Sequence, residues 1–123
     1  MSLAARRHAY EKDGCVILPG YYDQDDVQQI VEQVEQFCCD IAPRLAAGDV
    51  FYEDVGTKAI KSLFRMQLHD EFFDCLARDQ QLTDRVGAMF QEGEPVLQDV
   101  GFFAKPARCG SKAPVHQDNA CDF

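Results

Sequence analysis

Between Asp23 and Leu45 the apolar residues Val27, Ile30, Val31, Val34, Phe37, Cys38, Ile41 and Leu45 recur at spacings of three and four. That spacing puts them on one side of a helix, opposite Gln28, Glu32, Glu35 and Gln36. The rest of the chain must therefore supply an apolar surface for this face, and a sheet is the expected partner. Asp23 is placed to cap the helix, with Asp25 and Asp26 in its first turn, where the macrodipole favours acids. A shorter helix is expected over Leu3 to Lys12, stopped at Asp13-Gly14 because glycine accepts the left-handed conformation of a helix end. Between the two, Cys15-Val16-Ile17-Leu18 reads as a buried strand ended by Pro19-Gly20.

The second half is richer in strand-like composition. Val50 to Val55 reads as a strand, and Gly56 introduces the stretch Thr57 to Phe64. Asp70 can cap a helix over Glu71 to Arg78, while Leu82, Val86, Met89 and Phe90 mark a second short helix closed by Gly93. Val96 to Ala104 has the composition of a strand, and Lys105-Pro106 to Ala113-Pro114 that of a loop. Helices first and strands later predict an α+β class. At 123 residues the chain is expected to form a single domain, 1–123.

Twelve basic residues against 21 acidic ones give a net charge of −9. No cluster of Lys and Arg suits a phosphate backbone or an anionic membrane, so nucleic acid and membrane are not expected partners and a small-molecule substrate is. No uncharged apolar run approaches the roughly 20 residues of a membrane span, and Met1 to His8 leads into Glu11, Lys12 and Asp13 rather than a signal-peptide core. A soluble, cytoplasmic protein is expected. The six cysteines, Cys15, Cys38, Cys39, Cys75, Cys109 and Cys121, form no C-x-x-C pair and are expected to be reduced thiols behaving as small hydrophobes.

The chemistry is concentrated at Val115-His116-Gln117-Asp118-Asn119. If this piece is a strand, side chains repeat every two residues and His116 and Asp118 share a face while Gln117 points away. An imidazole and a carboxylate side by side supply two of the three ligands of a 2-His-1-carboxylate Fe(II) site, which leaves open positions for cosubstrate and oxygen. An isolated H-x-D arises often by chance.

Its surroundings are more specific. Gln98-Asp99-Val100-Gly101-Phe102-Phe103-Ala104-Lys105-Pro106, followed by Pro114-Val115-His116-Gln117-Asp118-Asn119, resembles the phytanoyl-CoA dioxygenase family of Fe(II)/2-oxoglutarate oxygenases. Tyr10 to Gly20 is similar to that family's opening segment, and Ile60-Lys61-Ser62 and His69-Asp70-Glu71-Phe72-Phe73 resemble its middle region. The resemblance implies N-terminal helices packed on part of a double-stranded β-helix, a jelly-roll barrel of cupin type. It implies His116 and Asp118 as iron ligands, and Lys61 as a contact for 2-oxoglutarate, where the alternative is a solvated surface lysine. Gln98 falls at a strand position that faces the cosubstrate pocket or solvent. Asn119 is either a pocket hydrogen-bonding group or a turn residue.

The family completes its site with a second His and an Arg far downstream of H-x-D, whereas five residues follow Asp118 here. His8 and His69 do not stand in the distal position: His8 is expected to be exposed and His69 structural. The expectation is an N-terminal fragment with a truncated barrel, inactive alone, from an enzyme that hydroxylates a small organic substrate. Asp118 favours a hydroxylase over the related halogenases, in which a small residue replaces the carboxylate. Two other readings compete: a catalytically silent barrel domain, and a small structural zinc module using Cys109, His116 and Cys121.

Overall fold

The computed structural model describes residues 2–53, 58–90 and 93–116. Helix α1 spans Leu3–Asp13, with the Ser2 side chain accepting from the Ala5 amide and Gly14 closing the helix at a φ of 73°. Helix α2 spans Gln24–Gln36 and begins in a reciprocal capping box between Asp23 and Asp26. Its apolar stripe does not continue as one α-helix to Leu45. Phe37–Ile41 forms a π-helical turn, and Ala42–Arg44 a 3-10 turn with Pro43 near its start.

This break decides which part of the stripe is core. Phe37 and Ala42 are buried, with Val34, Cys38, Ile41 and Leu45 packed beside them, whereas Val27 and Val31 are 48% and 44% exposed. The sheet that receives the stripe covers only its C-terminal half. Burial raises the Cys38 thiol above its ordinary range, which keeps it protonated and apolar. The described cysteines are free thiols, as expected, but Cys15, Cys39, Cys75 and Cys109 are exposed, and of the five only the half-buried Cys38 packs against the core as a small hydrophobe.

Three antiparallel strands follow in the order β1 (Val50–Tyr52), β2 (Ile60–Leu63) and β3 (Phe102–Phe103). Val50 and Phe102 both pair with Leu63, and because side chains alternate across a sheet these three face the core. Phe51 and Phe103 both pair with Ser62 on the opposite face, and the Phe64 ring meets each of them edge-on at 5.7 and 5.5 Å. Helices α3 (Glu71–Ala77) and α4 (Gln80–Gly87) are capped by Asp70 and Asp79. Asp79 also accepts from the Tyr21 hydroxyl, and Arg85 lies over the Tyr21 ring, so α4 is tied to the segment that leads into α2. The core joins Phe37, Ala42, Leu63, Met66 and Phe73. The α+β class expected from the sequence is what the described residues show, and none of their helices is long and apolar enough to cross a membrane.

Three expected elements differ. Cys15 to Leu18 forms no strand, and Ile17 is 80% exposed. The strand expected over Val96 to Ala104 contracts to Phe102–Phe103, because the preceding residues bond to a turn instead of a ladder. Asp99 accepts from the Arg65 amide at 2.6 Å, Val100 donates to the Gln67 side chain at 3.0 Å, and Met66 donates to the Val100 carbonyl at 3.0 Å. With both backbone groups of Val100 so engaged and the Asp99 side chain held by the turn, Val100 has no need of a strand partner. The last helix ends at Gly87 and not at Gly93.

The same turn carries a polar knot. His69 Nε2 donates to Asp49 Oδ2 at 2.9 Å and the Arg65 guanidinium pairs with Asp49 Oδ1. His69 is therefore structural, as the sequence suggested. The His69 hydrogen bond, reinforced by the Arg65 charge and opposed by burial, holds the Asp49 carboxyl below its ordinary range. A depressed carboxylate contributes stability above its unfolded pKa of about 3.9 and loses it as pH falls through the folded value. Urea unfolding of the native chain is thus expected to weaken steeply as pH drops below about 4. Asp49→Asn should lower stability by about 1–3 kcal/mol at neutral pH and flatten that acid dependence; equal acid slopes in both proteins would contradict this role.

Candidate metal and cosubstrate site

Lys61 lies on the central strand of the sheet, where its carbonyl accepts from the Ala104 amide at 3.0 Å. Beside it opens a cleft of about 400 Å³, bounded by Glu53, Lys61, Ser62 and Phe103 from the sheet and by Lys105, Ser111, Lys112 and Pro114 from the following loop. The loop folds back on itself through the Gly110 amide, which donates to the Pro106 carbonyl at 3.0 Å. A Cβ at Gly110 would lie 2.8 Å from Lys105 Cγ and 3.1 Å from the Pro106 carbonyl oxygen, so glycine is required for this return. Glu53, 5% exposed, accepts from the Ser111 amide at 3.1 Å through Oε2.

His116 follows Pro114 by two residues, and its Nδ1 lies 2.8 Å from the Pro114 carbonyl oxygen. A carbonyl only accepts, so Nδ1 is the donor of this hydrogen bond. Metal-binding histidines are commonly oriented in this way, one ring nitrogen donating to a backbone carbonyl while the other faces the metal.

Residues 10–121 match the family model of phytanoyl-CoA dioxygenase (PhyH). The chain belongs to the phytanoyl-CoA dioxygenase family. No curated protein and no solved structure was found to match it. The phytanoyl-CoA dioxygenase family is a dioxygenase-type enzyme family and is generally dependent on Fe(II) and 2-oxoglutarate.

Against that background the structure brings Lys61 into one cleft with Pro114, next but one to His116. Gln98 is exposed and lies on the segment docked against the 65–67 turn, not among the described residues lining the cleft. Residues 114–116 form no strand, and Asp118 and Asn119 lie outside the described residues, so the shared face expected for His116 and Asp118 lies outside them too. Cys109 is exposed and Cys121 also lies outside. Among the described residues no group of three or more His, Cys, Asp or Glu is placed to hold a metal ion. The histidine and aspartate expected from the resemblance are present in the sequence as His116 and Asp118, and the His116 ring is oriented by its Nδ1 contact with the Pro114 carbonyl.

Sequence reasoning missed Glu53. Its signal was an acid directly after the aromatic pair Phe51-Tyr52 in a strand-like run, where a solvated side chain is the ordinary expectation.

Proposed function

We propose that this chain contributes to a non-haem Fe(II)/2-oxoglutarate-dependent dioxygenase that hydroxylates a small organic substrate. In this reading residues 1–123 are one domain, the N-terminal portion of the enzyme, whose sheet is part of a jelly-roll barrel. His116 and Asp118 are the first histidine and the carboxylate of the iron triad. Lys61 binds the dicarboxylate cosubstrate, and Gln98 and Asn119 are further pocket candidates. The observation that carries the proposal is the meeting of Lys61 with the Pro114 end of the loop in one cleft, although they are far apart in sequence.

The residues divide the work by charge and tautomer. The Lys61 ammonium supplies a cation for a carboxylate of 2-oxoglutarate, and His116 supplies an imidazole nitrogen from a ring oriented by the Pro114 carbonyl. Asp118 adds the anionic oxygen that a hard divalent cation favours. Fe(II), when bound there, would supply the redox chemistry that couples decarboxylation of 2-oxoglutarate to hydroxylation. An acidic residue at 118, rather than a small one, fits hydroxylation and not halogenation.

Lys61→Ala tests the assignment in the full-length protein. The half-saturating 2-oxoglutarate concentration should rise roughly 10- to 100-fold, the equivalent of a lost hydrogen bond to a charged group, while Fe(II) affinity changes much less. An unchanged 2-oxoglutarate requirement would remove Lys61 from the cosubstrate site.

A further inference from the structure

We propose that the organic substrate is itself an anion, its carboxylate or phosphate held by Lys105 and Lys112 on the loop side of the cleft, a reading that rests on the assignment of Lys61 to 2-oxoglutarate. Three of the chain's five lysines, Lys61, Lys105 and Lys112, border this one cleft of a protein with a net charge of −9. Glu53 is the only acid among the described residues that line it, and its Oε2 accepts from the Ser111 amide. None of the three lysines takes part in an ion pair among the described residues. Like charges that share a cleft repel one another, and an anionic ligand relieves that repulsion.

The backbone places these cations. The Ala104 amide bonds to the Lys61 carbonyl at 3.0 Å, which sets the next residue, Lys105, beside the strand. Lys112 follows Ser111, whose amide is held at 3.1 Å by the Glu53 carboxylate from the sheet side. The Gly110–Pro106 hydrogen bond joins the two limbs, so Lys105 and Lys112 stand on opposite limbs of one loop. One lysine serves one carboxylate of 2-oxoglutarate, which leaves the loop pair for a second anion. Ser62 and Ser111 add hydroxyl donors, and Phe103 and Pro114 an apolar wall. The volume of about 400 Å³ lies within the range of small-molecule sites, about 300–1,000 Å³. A carbon skeleton that carries a carboxylate or a phosphate matches this lining, whereas a neutral one leaves two ammonium groups without a partner.

Phenylacetate, phenyl phosphate and the neutral phenylacetamide, titrated calorimetrically into the full-length protein at low salt, are the probes. At least one of the anions should bind and the amide should not; the tighter anion tells carboxylate from phosphate. Lys105→Gln and Lys112→Gln should each weaken that anion roughly threefold to fivefold, the size of a solvent-open charge pair, and the double variant should weaken it roughly tenfold or more. Lys12→Gln, on α1 and outside the cleft, should leave its affinity unchanged. Equal affinity for anion and amide, no anion binding by the unsubstituted protein, or a double variant that binds as well as the parent would overturn the proposal. With Co(II) and 2-oxoglutarate at saturation the anion should still bind, and its displacement would also overturn the proposal, because Lys105 and Lys112 would then serve 2-oxoglutarate itself. The first titrations need neither metal nor turnover, so failure of the anion site is told apart from failure of the cosubstrate reading, which the 2-oxoglutarate requirement of Lys61→Ala decides.

Discussion

Asp118→Ala is expected to abolish 2-oxoglutarate-dependent succinate formation in the full-length protein, with a loss well beyond the roughly 100-fold that follows disturbance of an outer partner of a metal ligand. The reason is charge. A site with one carboxylate among its protein ligands loses its anionic oxygen, and neutral imidazole alone is a poorer host for Fe(II). His116→Ala should be equally severe, and the double variant no worse than either single one, because ligands of one ion act as a unit. Steady-state succinate production at saturating Fe(II) measures all three. Retention of turnover in Asp118→Ala would remove the carboxylate from the site.

Phe37→Ala carries the largest expected effect on stability, about 3–5 kcal/mol, the usual cost of deleting a buried aromatic ring. Phe37 is 1% exposed and meets Phe73 edge-on at 5.5 Å, where the π-helical turn delivers it to the core. Val27→Ala belongs to the same sequence stripe, but Val27 is 48% exposed and its replacement should change stability by no more than about 0.5 kcal/mol. Urea unfolding of the two variants distinguishes the structure from the sequence pattern. Similar losses would mean that the stripe is buried along its whole length.

That contrast shows where the sequence could be read. Caps were legible because their chemistry is local: Asp23 and Asp70 each accept from an amide within three residues. Periodicity located the apolar stripe, yet it carries no information on how far the sheet extends beneath it, so Val27 and Val31 were placed in the core with Phe37. The strand expected from Val96 failed for another reason. Its backbone partners, Arg65, Met66 and Gln67, are some thirty residues away in sequence, and no local pattern announces them. Lys61 and His116 were singled out through family resemblance, whereas Glu53 was not, since its hydrogen bond to the Ser111 amide joins residues far apart in sequence.

The central claim is that His116 and Asp118 hold one Fe(II) in a 2-oxoglutarate-consuming enzyme. Anaerobic titration of the full-length protein with Fe(II), followed by 2-oxoglutarate and monitored by visible absorption, tests it most directly. One metal ion bound per chain, a new absorption band on adding 2-oxoglutarate, and loss of both in His116→Ala and Asp118→Ala are the results the account predicts. Stoichiometric Fe(II) binding that survives both substitutions, or a protein whose spectrum does not respond to 2-oxoglutarate, would contradict it.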